Sequence, residues 1–487
     1  MVYKRMPAYS GKERLTRLSR LNPDSIRLSA TEALGRIDLL ERPTRVRLTT
    51  LASRPVYRFF TPEGPVTVYA DDGSILEPLS PETAAGVVRN VFPEHAATAR
   101  YEELLTRPDQ WTFNTAFRLT GPLHKFSLGD SEATDVYVAS ETGEVVQKTD
   151  RGSRFWGYVG PVLHWIYFRP LRARGETWSN LIVYGSLAGC FVCVLGIIVG
   201  VSRYSLASQY KGGTSATPYA GWLRWHHYGG LIFGVITFTW LFSGMLSMEP
   251  WNLVVDNGPT EQQAIAVNGD GVDVTRFEIA PPRALPEFHK RFEPAELELQ
   301  QFMGSAYYVA YDPAGAPAGR PPPHMLVRAD GGAPAARDDF NRDELLTAAR
   351  AAMPGTEPTE VTWLTDYDAY YYAPAQAARL PVLRVKFGDA DATWLYLDAH
   401  NGALMQRETT GTRPLRWLYH GLHSLDFPRL YQTPWAWASL VVVLSAGGIF
   451  LSLTSLVIAW RQLRRTIAGA FGRSSSRSAL PDAERAG

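Results

Sequence analysis

Three long stretches of this sequence carry no charged side chain. Residues 181–201, 225–248 and 435–460 contain no Asp, Glu, Lys or Arg. A helix rises about 1.5 Å per residue, so each stretch is long enough to cross the roughly 30 Å hydrocarbon core of a bilayer. The sequence therefore predicts three membrane-spanning helices.

The rest of the chain has the composition of water-exposed domains. Charged residues make up 20% of the 487 residues, although the three apolar stretches contain none. Three spans are too few for a densely polytopic carrier, and a formal net charge of +1 provides no field that would attract nucleic acid. The chain is predicted to be a membrane protein whose partners include the lipid bilayer and exclude nucleic acid.

The basic residues near the apolar stretches predict an orientation. The tail 461–487 is rich in arginine, and the loop 202–224 has three basic residues and no acidic one. Because positive charges are retained on the cytoplasmic side, both segments are predicted to lie in the cytoplasm. Residues 1–160 and 249–415 are then extracytoplasmic.

The chain also contains an internal repeat. A shift of 259 residues superposes two parts of the sequence without a gap. Matching pairs include Pro122 and Pro381, Gly143 and Gly402, Arg154 and Arg413, and His164 and His423. The repeat predicts two copies of one unit. Since the stretch 225–248 precedes the second copy, we expect an equivalent apolar helix with its own histidine upstream of Met1.

Each copy is predicted to be an α+β unit followed by a membrane helix. Hairpins are expected around Gly143 and Gly402, and helices over 81–91 and 341–353, the second capped by Asn341. The predicted order is unit 1 at 1–160, a histidine segment and span at 161–201, a cytoplasmic loop at 202–224, a span at 225–248, unit 2 at 249–415, a second histidine segment and span at 416–460, and a cytoplasmic tail at 461–487.

Histidines beside the apolar stretches are the candidate functional residues. His164 and His423 occupy one repeat position, and two imidazoles across a pseudo-twofold axis can supply both axial ligands of a haem iron. His226 opens the second span, and Gly230, one turn further, would let a flat macrocycle approach. The alternative is that these are interfacial histidines bonded to their own loops. His227 points about 100° away from His226 and is expected at the membrane interface.

Several other residues complete this picture. Phe168 and Phe427 follow the paired histidines at i+4 and are expected to pack on a porphyrin if these segments are helical. Pro170 and Pro428 are expected to end those helices. Surface or core roles are predicted for His95, His124, His289, His324 and His400. Cys190 and Cys193 both lie in the first apolar stretch, so the soluble parts have no cysteine for a disulfide or zinc site.

Three segments resemble a known family. The runs RWLYHGLHSLDFP (416–428), LPVLRVKFGD (380–389) and HHYGGLIFGVITFTWLFSG (226–244) are similar to the PepSY-associated transmembrane-helix family. The resemblance implies a bacterial inner-membrane protein with periplasmic PepSY domains. Some members resemble haem-containing reductases of siderophore-bound iron, which implies haem b held by histidines at positions such as His164, His226 and His423. The absence of the first helix from this chain departs from the family pattern.

Two functions are compatible with these observations. The first is haem-dependent electron transfer across the membrane, from quinol or a cytoplasmic reductase to a ferric chelate outside. No nucleotide-binding or hydrolase motif occurs in the sequence, so the electrons would come from a separate donor. The alternative is a non-enzymatic membrane module whose PepSY domains bind or regulate peptidases or sense the envelope.

Overall fold

The structure is a computed structural model that describes residues 6–39, 41–113, 121–205, 210, 216–252, 257–315, 322–372 and 379–475. Part of the predicted cytoplasmic loop and the end of the predicted tail lie outside these residues. The chain forms two compact units. The first comprises residues 1–177 and 255–413, and the second comprises residues 178–254 and 414–487.

The described residues form the following β-strands and α-helices. The strands are β1 (Arg45–Leu51), β2 (Arg54–Thr61), β3 (Gly64–Tyr69), β4 (Arg100–Leu105), β5 (Leu123–Ser127), β6 (Asp135–Ala139), β7 (Val145–Thr149), β8 (Leu297–Phe302), β9 (Ser305–Tyr311), β10 (His324–Arg328), β11 (Ala335–Arg337), β12 (Pro358–Leu364), β13 (Val382–Phe387), β14 (Trp394–Asp398) and β15 (Leu404–Glu408). The α-helices are α1 (Gly11–Arg17), α2 (Ala30–Leu34), α3 (Pro81–Val91), α4 (Arg151–Gly157), α5 (Leu163–Trp165), α6 (Arg169–Arg172), α7 (Gly175–Ser202), α8 (Trp222–Leu246), α9 (Glu261–Asn268), α10 (Pro281–His289), α11 (Arg342–Ala352), α12 (Arg413–Leu415), α13 (Leu422–Ser424), α14 (Pro428–Tyr431) and α15 (Pro434–Ser475).

A seven-stranded antiparallel sheet organises the first unit. Its strand order is β11-β10-β9-β8-β1-β2-β3. The central pair is β1 with β8, in which Val46 lies opposite Leu299 and Leu48 lies opposite Leu297. Strands from both predicted soluble units therefore share one sheet, an arrangement that the sequence analysis did not predict.

Two four-stranded antiparallel sheets complete the first unit, in the orders β4-β5-β6-β7 and β12-β13-β14-β15. The predicted hairpins are confirmed as β6–β7 and β14–β15. Their turns contain Gly143 at φ 64° and Gly402 at φ 71°, a backbone conformation that glycine adopts without strain. The predicted helices are confirmed as α3 and α11. The side chain of Asn341 accepts hydrogen bonds from two backbone N–H groups at the start of α11.

Apolar side chains cover both faces of the seven-stranded sheet. On one face, Ala33 of α2 and Phe288 of α10 join the same buried cluster as Leu48 and Leu299. On the other face, α3 and the β4–β7 sheet cover the half formed by β1 and β2. Helix α11 and the β12–β15 sheet cover the half formed by β8 to β10. Successive side chains of a strand point to opposite faces, so both faces are buried where apolar residues occupy consecutive positions, as at 307–310 of β9.

A buried charge network lies beside the β1–β8 pair. Arg47 contacts Glu296 at 3.1 Å and Glu144 at 2.9 Å. Arg14 adds a 2.7 Å contact to Glu296, and Arg58 a 3.0 Å contact to Glu144. Burial alone would raise the pKa of Glu144, but the charges of Arg47 and Arg58 outweigh it and lower this pKa to about 2. The pKa of Glu296 is lowered in the same way, chiefly by Arg47 and Arg14.

Replacing one acid of this network should destabilise the first unit. Glu144→Gln removes a negative charge from between Arg47 and Arg58, and breaking a buried pair from one side costs about 3–5 kcal/mol. We expect a clear fall in the thermal unfolding midpoint at pH 7, followed by circular dichroism in detergent. Glu132→Gln, at an exposed position of the β5–β6 turn, is the control and should leave the midpoint unchanged.

The same network should make stability depend on acid pH. The stabilisation that Glu144 provides is present above its ordinary pKa of 4.5 and is lost as the pH falls toward about 2, since the unfolded chain binds the proton first. The Glu144→Gln variant lacks this contribution, so its midpoint should vary less than that of the wild type over this range. Equal pH dependence in the two proteins would contradict the assignment.

Three helices among the described residues are long and apolar enough to cross a membrane: α7, α8 and the part of α15 from Pro434 to Ala468. They contain the predicted apolar stretches, except that α8 ends at Leu246. Small residues allow close helix packing. A Cβ on Gly189 of α7 would lie 3.1 Å from Leu241 of α8, and a Cβ on Gly447 of α15 would collide with Phe233 of α8.

Cysteine labelling should establish the orientation. The exposed positions Ser131, Ala390 and Ala220 are suitable probe positions. In a protein with Cys190 and Cys193 changed to alanine, an impermeant maleimide added outside intact cells should label Ser131→Cys and Ala390→Cys. Ala220→Cys should react only after permeabilisation, and its labelling from outside would reverse the orientation.

Candidate functional site

His423 lies in the short helix α13 and is held by the end of α8. Its Nδ1 is 3.0 Å from the Oγ of Ser243, a fully buried residue. The Ser243 hydroxyl has a single proton and donates it to the carbonyl of Thr239 at 2.6 Å. Ser243 therefore accepts a hydrogen bond from Nδ1–H, which makes Nε2 the nitrogen of the neutral ring that carries the lone pair.

His226 has the same arrangement at the start of α8. Its Nδ1 is 3.0 Å from the Oγ1 of Thr454 on α15. The Thr454 hydroxyl donates to the carbonyl of Leu451 at 2.8 Å and therefore accepts from Nδ1–H. Nε2 again carries the lone pair. A Cβ built on Gly230 would meet no described atom within 4 Å, so the helix face one turn beyond His226 is open, as the sequence analysis expected.

The two histidines mark opposite ends of one apolar helix. His226 lies near the first residue of α8 and Ser243, which binds His423, lies near its last. At about 1.5 Å per residue, the two positions are about 26 Å apart along the helix. They are therefore separate sites and do not share one ligand.

His164 lies in α5 of the first unit, in a segment with the same local conformation as that of His423. A π-helical turn (Tyr158–Val162 or Arg416–Gly421) precedes each three-residue helix. The residue after each helix, Ile166 or Leu425, has left-handed backbone angles. His164 and His423 belong to different compact units, and their joint ligation of one haem stays a prediction.

Each of these segments contains backbone strain. Ile166 at φ 52° and Leu425 at φ 55° occupy a region that bulky residues rarely adopt, at a cost of about 1–3 kcal/mol each. π-Helical turns and strained residues both occur preferentially at functional sites. The strain therefore supports a functional role for the two histidine segments.

The same backbone corrects two expectations. Phe168 and Phe427 lie outside the histidine helices, because the left-handed residues turn the chain before them. The i+4 argument for aromatic packing is therefore wrong. Pro170 and Pro428 start the next short helices and do not end the histidine helices, which stop at the left-handed residues.

Four further histidines of the described chain are buried. His227 was expected at the membrane interface, but it is buried and donates from Nε2 to the Gly200 carbonyl at 2.8 Å, where it caps the end of α7. His124 is a core residue whose Nε2 lies 2.8 Å from the Leu79 carbonyl, and burial lowers its pKa. His324 and His400 are also buried, and the fold brings them together, with ring centroids 4.2 Å apart.

The donor set at the ends of α8 fits haem iron. Axial ligation requires a neutral imidazole with a lone pair on one nitrogen and a fixed proton on the other. His226 and His423 meet this requirement through Thr454 and Ser243. Gly244 allows α8 to pack closely against the His423 ring, since a Cβ at this position would lie 3.4 Å from the imidazole.

No family model matches the sequence, and no curated protein or solved structure matches it. The family resemblance drawn from the three sequence segments therefore stays a prediction.

Proposed function

We propose that this protein transfers electrons across a membrane through b-type haem. The main support is that His226 and His423 lie at opposite ends of α8. The Nδ1–H of each ring is held by a hydroxyl of a neighbouring helix. His226 would serve one membrane face. His423, together with His164, would serve the other. When bound, haem supplies one-electron Fe(III)/Fe(II) chemistry.

The residues of this chain have positioning roles in that function. Ser243 and Thr454 keep the proton on Nδ1 and fix the direction of each imidazole, and such partners raise the basicity of a ligating histidine. Both hydroxyls are themselves oriented by bonds to their own helices.

The proposal includes the internal duplication. Strands β5, β6 and β7 begin 259 residues before β13, β14 and β15, the same shift that aligns the sequence. The histidine helix and the left-handed residue also recur at this spacing, and a π-helical turn directly precedes each histidine helix. These recurrences support two PepSY-like copies and a paired role for His164 and His423.

The remaining parts of the proposal concern location and partners. We place the protein in a bacterial inner membrane, with the first unit in the periplasm and the C-terminus in the cytoplasm, on the basis of the basic loop and tail. The electron acceptor is a ferric chelate in the periplasm. The donor is quinol or a cytoplasmic reductase.

A reduced-minus-oxidised absorption spectrum of the detergent-solubilised protein tests the haem proposal. His164→Ala and His423→Ala should each remove the same low-spin component, and the double variant should lose little more, because two ligands to one iron act as a unit. His226→Ala should remove a second component. His95→Ala is the control and should leave the spectrum unchanged.

Two results would count against this proposal. A spectrum that survives intact in the His164→Ala, His423→Ala double variant would exclude their shared ligation of haem. Absence of any haem from the wild-type protein expressed with haem available would exclude electron transfer by this route. The non-enzymatic alternative, in which the PepSY-like domains bind peptidases or sense the envelope, would then be favoured.

The hydroxyl contact gives a finer test. Ser243→Ala keeps the ligand His423 but removes the acceptor of its Nδ1–H, so haem affinity should fall by about 10–100-fold while the low-spin spectrum keeps its shape. Haem titration of the apoprotein measures this change. Ser452→Ala is the matched control, because Ser452 bonds only to the Gly448 carbonyl of its own helix among the described contacts.

A further inference from the structure

Two histidines and an aspartate converge in the first unit. One donor atom from each of His324, Asp339 and His400 lies within 4.8 Å of the others. His324 Nε2 is 3.4 Å from Asp339 Oδ1, and His400 Nδ1 is 3.9 Å from the same oxygen. Both histidines are buried, whereas the Asp339 side chain is 40% exposed, so the group is open to solvent on one side.

Secondary structure holds the three residues in place. His324 is the first residue of β10, Asp339 lies between β11 and α11, and His400 directly follows the end of β14. The Phe340 N–H donates to the Ala399 carbonyl at 2.8 Å, which fixes the Asp339 segment beside His400. The group is therefore set by backbone contacts between well-formed elements.

Each imidazole has the type of outer partner that orients metal ligands. Asp398 Oδ1 accepts hydrogen bonds from the backbone N–H and the Nδ1 of His400, both at 2.9 Å. The Nε2 of His324 is 2.6 Å from the Asp338 carbonyl. A neutral imidazole that donates one N–H to an oxygen keeps its lone pair on the other nitrogen. The ligand atoms would therefore be Nδ1 of His324 and Nε2 of His400, and the distances to Asp339 given above show only that the two rings lie beside this carboxylate. Carboxylate–histidine and carbonyl–histidine pairs of this kind fix ligating histidines in metal sites.

The charge balance favours a bound cation. Asp398 is fully buried, and among the described residues its Oδ2 has no hydrogen-bond partner, although Arg379 Nη1 lies 3.8 Å away. The neighbouring Asp339 side chain is 40% exposed, and the ring centroids of His324 and His400 are 4.2 Å apart. A cation bound by this group would place a positive charge beside both carboxylates.

We propose that His324, Asp339 and His400 bind a divalent first-row transition-metal ion. Two imidazole nitrogens and one carboxylate oxygen are a ligand set that suits Zn²⁺ or Fe²⁺, and three protein ligands leave a coordination position for water or a small ligand. Asp398 orients the His400 ring through the hydrogen bond to its Nδ1. The site does not depend on haem or on the proposed function.

The two halves of the chain differ here. At the 259-residue shift, His324 corresponds to Pro65 and His400 to Glu141, neither of which is a histidine. The first half forms the matching strands β3 and β6 without these ligands. The histidines are therefore not required by this local fold, which supports a binding role.

Zinc titration of the full-length protein tests this site. The protein is solubilised in detergent, freed of any polyhistidine tag, and stripped with chelator before Zn²⁺ is added in a calorimeter. We expect one more Zn²⁺ per chain in the wild type than in the His324→Ala, His400→Ala double variant. Asp339→Asn should weaken that site at least tenfold and Asp398→Asn by about 10–100-fold. His289→Ala, an exposed histidine of the same unit, should leave it unchanged.

Because the Asp339 side chain is partly exposed, Asp339→Asn changes a ligand without disturbing the buried core. Circular dichroism verifies that each variant is folded. Co²⁺ provides a second readout, because the nitrogen and oxygen ligands should give visible d–d absorption that the double variant lacks. Equal Zn²⁺ stoichiometry in the wild type and the folded double variant would overturn the proposal. Wild-type Zn²⁺ affinity in Asp339→Asn would also overturn this ligand set.

Discussion

The pairing of β1 with β8 is the contact on which the first unit depends. It joins strands from the two halves of the chain into one sheet, and both layers of covering elements pack on that sheet. Arg47, at the centre of the pair, bridges Glu144 from one half and Glu296 from the other. Removing one partner of such a buried network is costly, because it leaves an uncompensated charge inside the protein.

The histidines at the ends of α8 illustrate how a membrane helix can position polar chemistry. Each imidazole binds a hydroxyl, and each hydroxyl returns its own proton to a backbone carbonyl of its helix. Every donor in these two series of hydrogen bonds therefore has an acceptor. This matters because an unpaired polar group is costly in hydrocarbon. The ring orientation follows from the helices, so the site requires no loop to order it.

Local sequence signals predicted local structure. The three apolar helices, the hairpins at Gly143 and Gly402, and the cap at Asn341 each follow from residues within a short window. The β1–β8 pair could not be predicted because register between distant strands is decided by tertiary packing. The left-handed backbone angles of Ile166 and Leu425 could not be predicted from the sequence, because neither residue type favours them. His324 and His400 lie 76 positions apart and match no ligand-spacing motif.

The central strand pair also constrains biosynthesis. Leu48 and Leu297 lie opposite each other in the sheet but 249 positions apart in the chain, with two apolar helices between them. At about 5–20 residues per second, the ribosome needs roughly 10 to 50 s to complete the second partner after the first. During that interval β1 has an open edge and Arg47 lacks Glu296. The order of synthesis thus makes the first half dependent on protection from aggregation until the second half arrives.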